Sequence, residues 1–74
     1  MSTVDFELQD EHVELCNLLK LVGLADSGGR GKQMVAEGLV QVDDQPESRK
    51  TAKIRAGQVV SCQGMSIKVR AHGQ

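Results

Sequence analysis

Val4-Asp5-Phe6-Glu7-Leu8 alternates apolar and acidic residues, which predicts a strand with Val4, Phe6 and Leu8 on one face. Gln9 and Asp10 break it. From Glu11 to Val22 the period changes: Leu15, Leu18, Leu19 and Val22 recur at i, i+3, i+4 and i+7, the spacing of one core-facing helical stripe. Glu11 and Glu14 then fall in the first turn and Lys20 in the last, where each suits the helix dipole. Gly23 reads as a left-handed C-terminal cap, with Leu24 folding back on the helix. Asp26 or Ser27 caps a second helix that runs to Glu37, with Gly31, Met34 and Val35 inward and Gly38 closing it. About four residues join the two helices, which makes them a tight pair.

The rest of the chain reads as β-structure. Leu39 to Val42 is a strand, Asp43-Asp44-Gln45-Pro46 its turn, Thr51 to Arg55 a short strand and Gln58 to Cys62 another. Gln63-Gly64 is a two-residue hairpin turn. Met65 to Arg70 alternates, with Met65, Ile67 and Val69 inward and Lys68 and Arg70 outward. These elements predict an α+β fold, two packed helices against a small, mostly antiparallel sheet. One domain spans residues 1–74, with its core at about 4–70 and a loose tail at 71–74.

Composition narrows the function. The chain has 74 residues and one aromatic, Phe6, so the core is aliphatic and an RNA-stacking sheet of exposed aromatics is excluded. Cys16 and Cys62 lie far apart in apolar patterns with no Cys-x-x-Cys pair, so both read as small buried hydrophobes, and neither a zinc nor a redox motif is present. No apolar run approaches the roughly 20 residues of a membrane span. Residues 1–10 lack the basic-then-apolar pattern of a secretion signal, so a cytoplasmic location is expected.

Net charge is −1, which alone argues against a nucleic-acid partner. Its distribution argues otherwise. Residues 1–26 carry six acids against Lys20, a net of −5, and residues 27–74 carry eight bases against four acids, a net of +4. This split predicts one basic and one acidic face, the alternative being mixed surface charge that is segregated only in sequence.

Ser27-Gly28-Gly29-Arg30-Gly31-Lys32 is the most unusual stretch. Each glycine at a helix start costs about 0.8–1 kcal/mol relative to alanine, so something should offset the loss. A helix N-terminus offers unpaired N–H groups and positive dipole charge, which suit a phosphate, and Arg30 and Lys32 add full charges. On the other reading, Gly28 and Gly29 fray the start, and Gly31 is a packing contact against the first helix. A nucleotide P-loop is excluded. Gly31-Lys32 is followed by Gln33, which has no hydroxyl for magnesium, Asp26 stands where the first glycine belongs, and no strand precedes.

Arg49, Lys50, Lys53 and Arg55 form a second basic cluster, with Lys53 and Arg55 on the exposed face of the strand. Four such charges suit phosphates with a salt-dependent grip. An ordinary solvated strand edge has the same look. No catalytic constellation is evident. His12 sits in an acidic helix start, His72 in the tail, and none of Ser27, Ser48, Ser61 and Ser66 has an evident base. No enzyme activity, cofactor or metal is expected.

The run Leu18-Leu19-x-x-x-Gly23-Leu24-Ala25-x-Ser27, then Lys32-Gln33-Met34-Val35-x-x-Gly38-x-Val40-x-Val42-Asp43, resembles the αL RNA-binding domain named after small-subunit ribosomal protein S-four. Ala56-Gly57-Gln58-Val59-Val60 is similar to a later strand start of that domain, and the likeness covers about Val13 to Val69. Val13-Glu14-Leu15-Cys16 and the Arg49-Lys50 pair look closest to the stand-alone YbcJ-type bacterial subgroup. The resemblance implies RNA binding through the helix pair and the adjoining hairpin; structured RNA, ribosomal or transfer RNA, is the expected ligand of a monomer, with a ribosomal or RNA-processing protein as a further expected partner. It implies that Ser27 caps the second helix, that Arg30 and Lys32 contact RNA, and that Arg49, Lys50, Lys53 and Arg55 complete the surface. The chain departs from the family pattern at Gly28, where a base often follows the serine, at Glu14, where Arg often opens the first helix, and at Asp43-Asp44, where Asn-Gly is usual. A different class of function also fits the residues: a protein adaptor whose acidic first helix, through Glu11 and Glu14, docks a basic partner.

Overall fold

The computed structural model describes residues 2–73. Along the chain run β1 (Ser2–Glu7), β2 (Val13–Glu14), α1 (Leu15–Leu21), α2 (Gly28–Ala36), β3 (Val40–Val42), β4 (Gln45–Pro46), β5 (Lys53–Ile54), β6 (Val59–Cys62) and β7 (Met65–Arg70). The main sheet has the order β1-β7-β6-β3-β4, while β2 and β5 pair separately. Only the β1–β7 pairing is parallel among the described strands. Two helices against a small, mostly antiparallel sheet is the expected α+β fold.

The core is aliphatic. Leu15, Leu18 and Leu19 of α1 and Met34 and Val35 of α2 pack with Val40, Val60, Ile67 and Val69 from the inner face of the sheet, all buried. Cys62 and Cys16 are buried free thiols. Both helices end in the same way. Gly23 and Gly38 take left-handed φ of 85° and 77°. The amide of Leu24 then reaches back to the Leu19 carbonyl, and that of Leu39 to the Met34 carbonyl, closing the orphan carbonyls of each last turn.

Four expectations need correction. The first helix does not start at Glu11: Val13 and Glu14 pair with Ile54 and Lys53, and α1 begins at Leu15. Partial burial of Val13 beside Ile54 in a two-residue ladder outweighs the helix preference of the neighbouring acids, so Glu11 and Glu14 are not in a helical first turn. His12 accordingly lies before the helix. The link between the helices is longer than expected, residues 22–27. Gln45 and Pro46 are a strand rather than part of the turn. Asp43 and Asp44 alone turn the chain, with left-handed φ of 52° and 65°, and Pro46 is tolerated because β4 is a sheet edge. Last, the Thr51 to Arg55 strand shrinks to Lys53–Ile54 and leaves the main sheet to join β2. The tail at 71–73 folds against β1, where Glu7 accepts a 2.8 Å hydrogen bond from the Gly73 amide and lies 3.5 Å from His72. Gln74 lies outside the described residues.

Candidate nucleic-acid interface

The site begins with an uncapped helix. Glu14 occupies the N-cap of α1, yet its side chain makes no capping bond. The orphan amides find partners elsewhere: Leu15 donates to the Ala52 carbonyl at 2.9 Å and Cys16 to the Lys50 carbonyl at 3.1 Å. The start of α1 is therefore tied to the backbone of residues 50–52, which holds the Arg49–Lys53 segment beside the helix pair. Helix α2 comes to the same place. It is capped by Ser27, whose hydroxyl accepts from the Arg30 amide at 3.2 Å. One turn later Gly31 is buried against the backbone of Cys16.

Lys32, next to Gly31, thus meets the basic loop. Lys32, Ser48, Arg49, Lys50, Thr51 and Lys53 line a single open concavity of about 740 Å³. Lys32, Lys50 and Lys53 are exposed, and no ion pair involves any of them among the described residues. Arg49 is held by Glu47, whose carboxylate accepts from its Nε at 2.8 Å. That hydrogen bond first, and the charge of Glu47 second, push the guanidinium pKa further up, so Arg49 stays cationic. The bond uses Nε alone, and the Arg49 side chain remains 80% exposed.

The other three candidates lie outside this concavity. Ser27 serves as the α2 cap. Arg30 sits 3.9 Å from Glu37 at the other end of α2. Arg55 falls in the turn after β5, where its amide donates to Gln58 at 2.6 Å, so it does not share a strand face with Lys53. The acid–base split is also less complete in space than in sequence. Asp5 and Glu7 stand in register with Lys68 and Arg70, and Glu14 stands opposite Lys53. Ser48 and Thr51 were not anticipated, although they flank the Arg49-Lys50 pair. No local signal marks them, because the residue pattern places Glu14 inside a helix begun at Glu11, and only the structure makes it an N-cap without a side-chain bond.

Gly28 and Gly29 do begin α2. A Cβ on Gly28 would meet nothing within 4 Å, and one on Gly29 only the Ser27 hydroxyl at 3.8 Å. Packing therefore demands the glycine at 31 and leaves those at 28 and 29 unexplained by contacts.

The S4 domain model matches residues 6–70 of the chain. The chain belongs to the S4 domain family. Among the relatives of this S4 domain, YbcJ of Escherichia coli (strain K12) is 55% identical over 60 residues, 81% of this chain and 86% of that protein. RlbA of Bacillus subtilis (strain 168) is 35% identical over 57 residues, 77% of this chain and 80% of that one. The solution structure of E. coli YbcJ, described as revealing an αL motif involved in RNA binding, superimposes with a TM-score of 0.68 at 49% identity, over 96% of this chain and 89% of that one. The S4 domain here carries the same αL arrangement of paired helices and adjoining strands. No helix among its described residues is long and apolar enough to cross a membrane.

Proposed function

We propose that this S4 domain is a non-enzymatic, monomeric, cytoplasmic RNA-binding module. It grips structured RNA, ribosomal or transfer RNA, through the concavity formed by Lys32, Arg49, Lys50 and Lys53. The observation that carries the reading is the convergence of two basic segments, distant in sequence, on that concavity. Cations around a concave surface, three of them without an acidic partner, suit the phosphates of a folded backbone. Grip by charge and shape also accords with a chain whose single aromatic is Phe6, on β1. The relation to YbcJ, whose structure is described by an RNA-binding motif, supports the same reading. So does the name of the Bacillus relative, a probable ribosome maturation protein, which favours ribosomal RNA and a ribosomal or RNA-processing partner. Ser27 acts through the α2 cap, while Arg30 and Arg55 add longer-range charge.

The test is fluorescence anisotropy with a folded transfer RNA and a ribosomal RNA fragment across a salt series. The expected result is binding that weakens steeply with salt, and a replacement of Arg49, Lys50 and Lys53 by Ala that weakens binding to every RNA and flattens the slope. Unchanged affinity in that variant would remove the concavity from the account.

A further inference from the structure

A second groove, of about 270 Å³, opens between β1, β2 and α1. Phe6 from β1, Leu8 just after it, Val13 from β2 and Leu21 from α1 supply its apolar surface, and Asp10 and Glu14 stand on its rim. Phe6 and Val13 are only half-buried, and Leu21 is 54% exposed, so the groove is a stretch of core that the chain does not cover. No Lys or Arg lines it. The reading does not depend on the RNA proposal, although the two surfaces adjoin: the groove stands on β2 and the basic concavity on β5, the strands that pair Glu14 with Lys53.

We propose that this groove docks a basic segment of a partner protein through an apolar side chain flanked by Lys or Arg. Charge complementarity selects that occupant. The rim acids repel a nucleic-acid backbone and attract a cationic peptide, while the apolar walls reward an anchor between its charges. A second copy of the chain is a poorer fit. Among the described residues its large exposed apolar side chains are Leu39, two residues from Glu37, which would bring an acid against Asp10 and Glu14, and Leu21, beside Lys20 but in the groove itself, whose use would set two acidic rims together. Together the two surfaces would let one small domain hold an RNA and a basic protein side by side.

The experiment is a titration of the isotope-labelled full chain, followed by amide NMR shifts, with a blocked heptapeptide of alternating Lys and Leu. A peptide with Ser for Leu and one with Glu for Lys serve as controls. The expected result is shifts confined to residues 6–21 with the Lys–Leu peptide, at least tenfold weaker binding of each control, and at least fivefold weaker binding by Leu21→Ser and by Asp10→Asn. Leu21 is exposed, so Leu21→Ser keeps the fold and leaves RNA affinity unchanged, which separates failure of this groove from failure of the RNA surface. Equal binding of the Lys–Leu and Lys–Ser peptides would reduce the site to diffuse charge and overturn the proposal. So would absence of shifts, or a dimer in sedimentation that Leu21→Ser dissolves.

Discussion

Gly31 of α2 lies so close to Cys16 of α1 that a Cβ on the glycine would fall 2.5 Å from the Cys16 carbonyl oxygen and 3.2 Å from its carbonyl carbon and Cα. The obstacle is backbone at the start of a helix, so it cannot swing aside as a side chain would. The same Cys16 donates its amide to the Lys50 carbonyl, and Lys32 follows Gly31 in the chain. One close approach therefore sets both the helix pairing and the meeting of the two basic segments. Gly31→Ala should destabilise the domain by about 1–3 kcal/mol, despite the higher helix propensity of alanine, because the helices must separate. Urea denaturation of the variant checks this. A gain in stability would mean that the pair is looser than the geometry requires.

Gly28 and Gly29 should behave in the opposite way. Both begin α2 and have room for a methyl group, so Gly28→Ala and Gly29→Ala should each stabilise by about 0.4–1 kcal/mol. If RNA phosphate rests on the first amides of α2, the same changes crowd that approach and weaken RNA binding while the protein becomes more stable. Paired melting and anisotropy measurements separate the two effects. Stability gained with affinity unchanged would mean that the glycines serve no phosphate contact.

Much of this was legible from residue pattern. The Leu15, Leu18, Leu19 stripe, the Gly23 and Gly38 caps and the Gln63-Gly64 turn follow from local spacing and local conformation, and the structure has them; the pattern narrows the α2 cap to Asp26 or Ser27, and the structure has Ser27. What pattern could not supply was pairing at a distance. Val13-Glu14 looks helical by its neighbours and becomes a strand only because Ile54 and Lys53 lie beside it. Arg55 alternates with Lys53 in sequence, yet the strand ends at Ile54 before that alternation can be used. The meeting of Lys32 and Lys50 in one concavity rests on Gly31, whose spacing alone fits a phosphate approach and a packing contact equally, and the Cys16 backbone beside it makes it a packing contact.

Burial pushes the Cys62 thiol pKa up, so the folded chain holds the neutral thiol at pH values where the unfolded chain gives up its proton. With the folded value raised, this contribution to stability is fully present below the ordinary thiol range, about 8.5, and is lost as pH climbs above that range and through the raised folded value. Urea midpoints measured from pH 7 to pH 10 should fall on the alkaline side, and Cys62→Ala should lack that part of the fall. The same burial should leave Cys62 slow to react with a thiol reagent under native conditions. Rapid labelling in the folded state would show that β6 opens far more often than its place between β7 and β3 implies.

Lys32 and Arg30 carry the same charge two residues apart on α2, so they separate local contact from general field. Lys32 lines the concavity, and no ion pair holds it among the described residues. Arg30 lies 3.9 Å from Glu37 and lines no part of the concavity. A bound RNA phosphate released from its counterion contributes about 0.7–0.9 to the slope of log affinity against log salt. Lys32→Ala should remove about one such contact, lowering the slope by that amount for every RNA tested. Arg30→Ala should lower affinity by less than Lys32→Ala and leave the slope nearly unchanged, because the charge it removes is partly answered by Glu37. Glu37→Gln provides the converse: freeing Arg30 should raise affinity modestly without adding a contact. Equal losses from Lys32→Ala and Arg30→Ala, with equal slopes, would mean that RNA responds to the basic half of the chain as a diffuse field rather than to the concavity that Gly31 and Cys16 assemble.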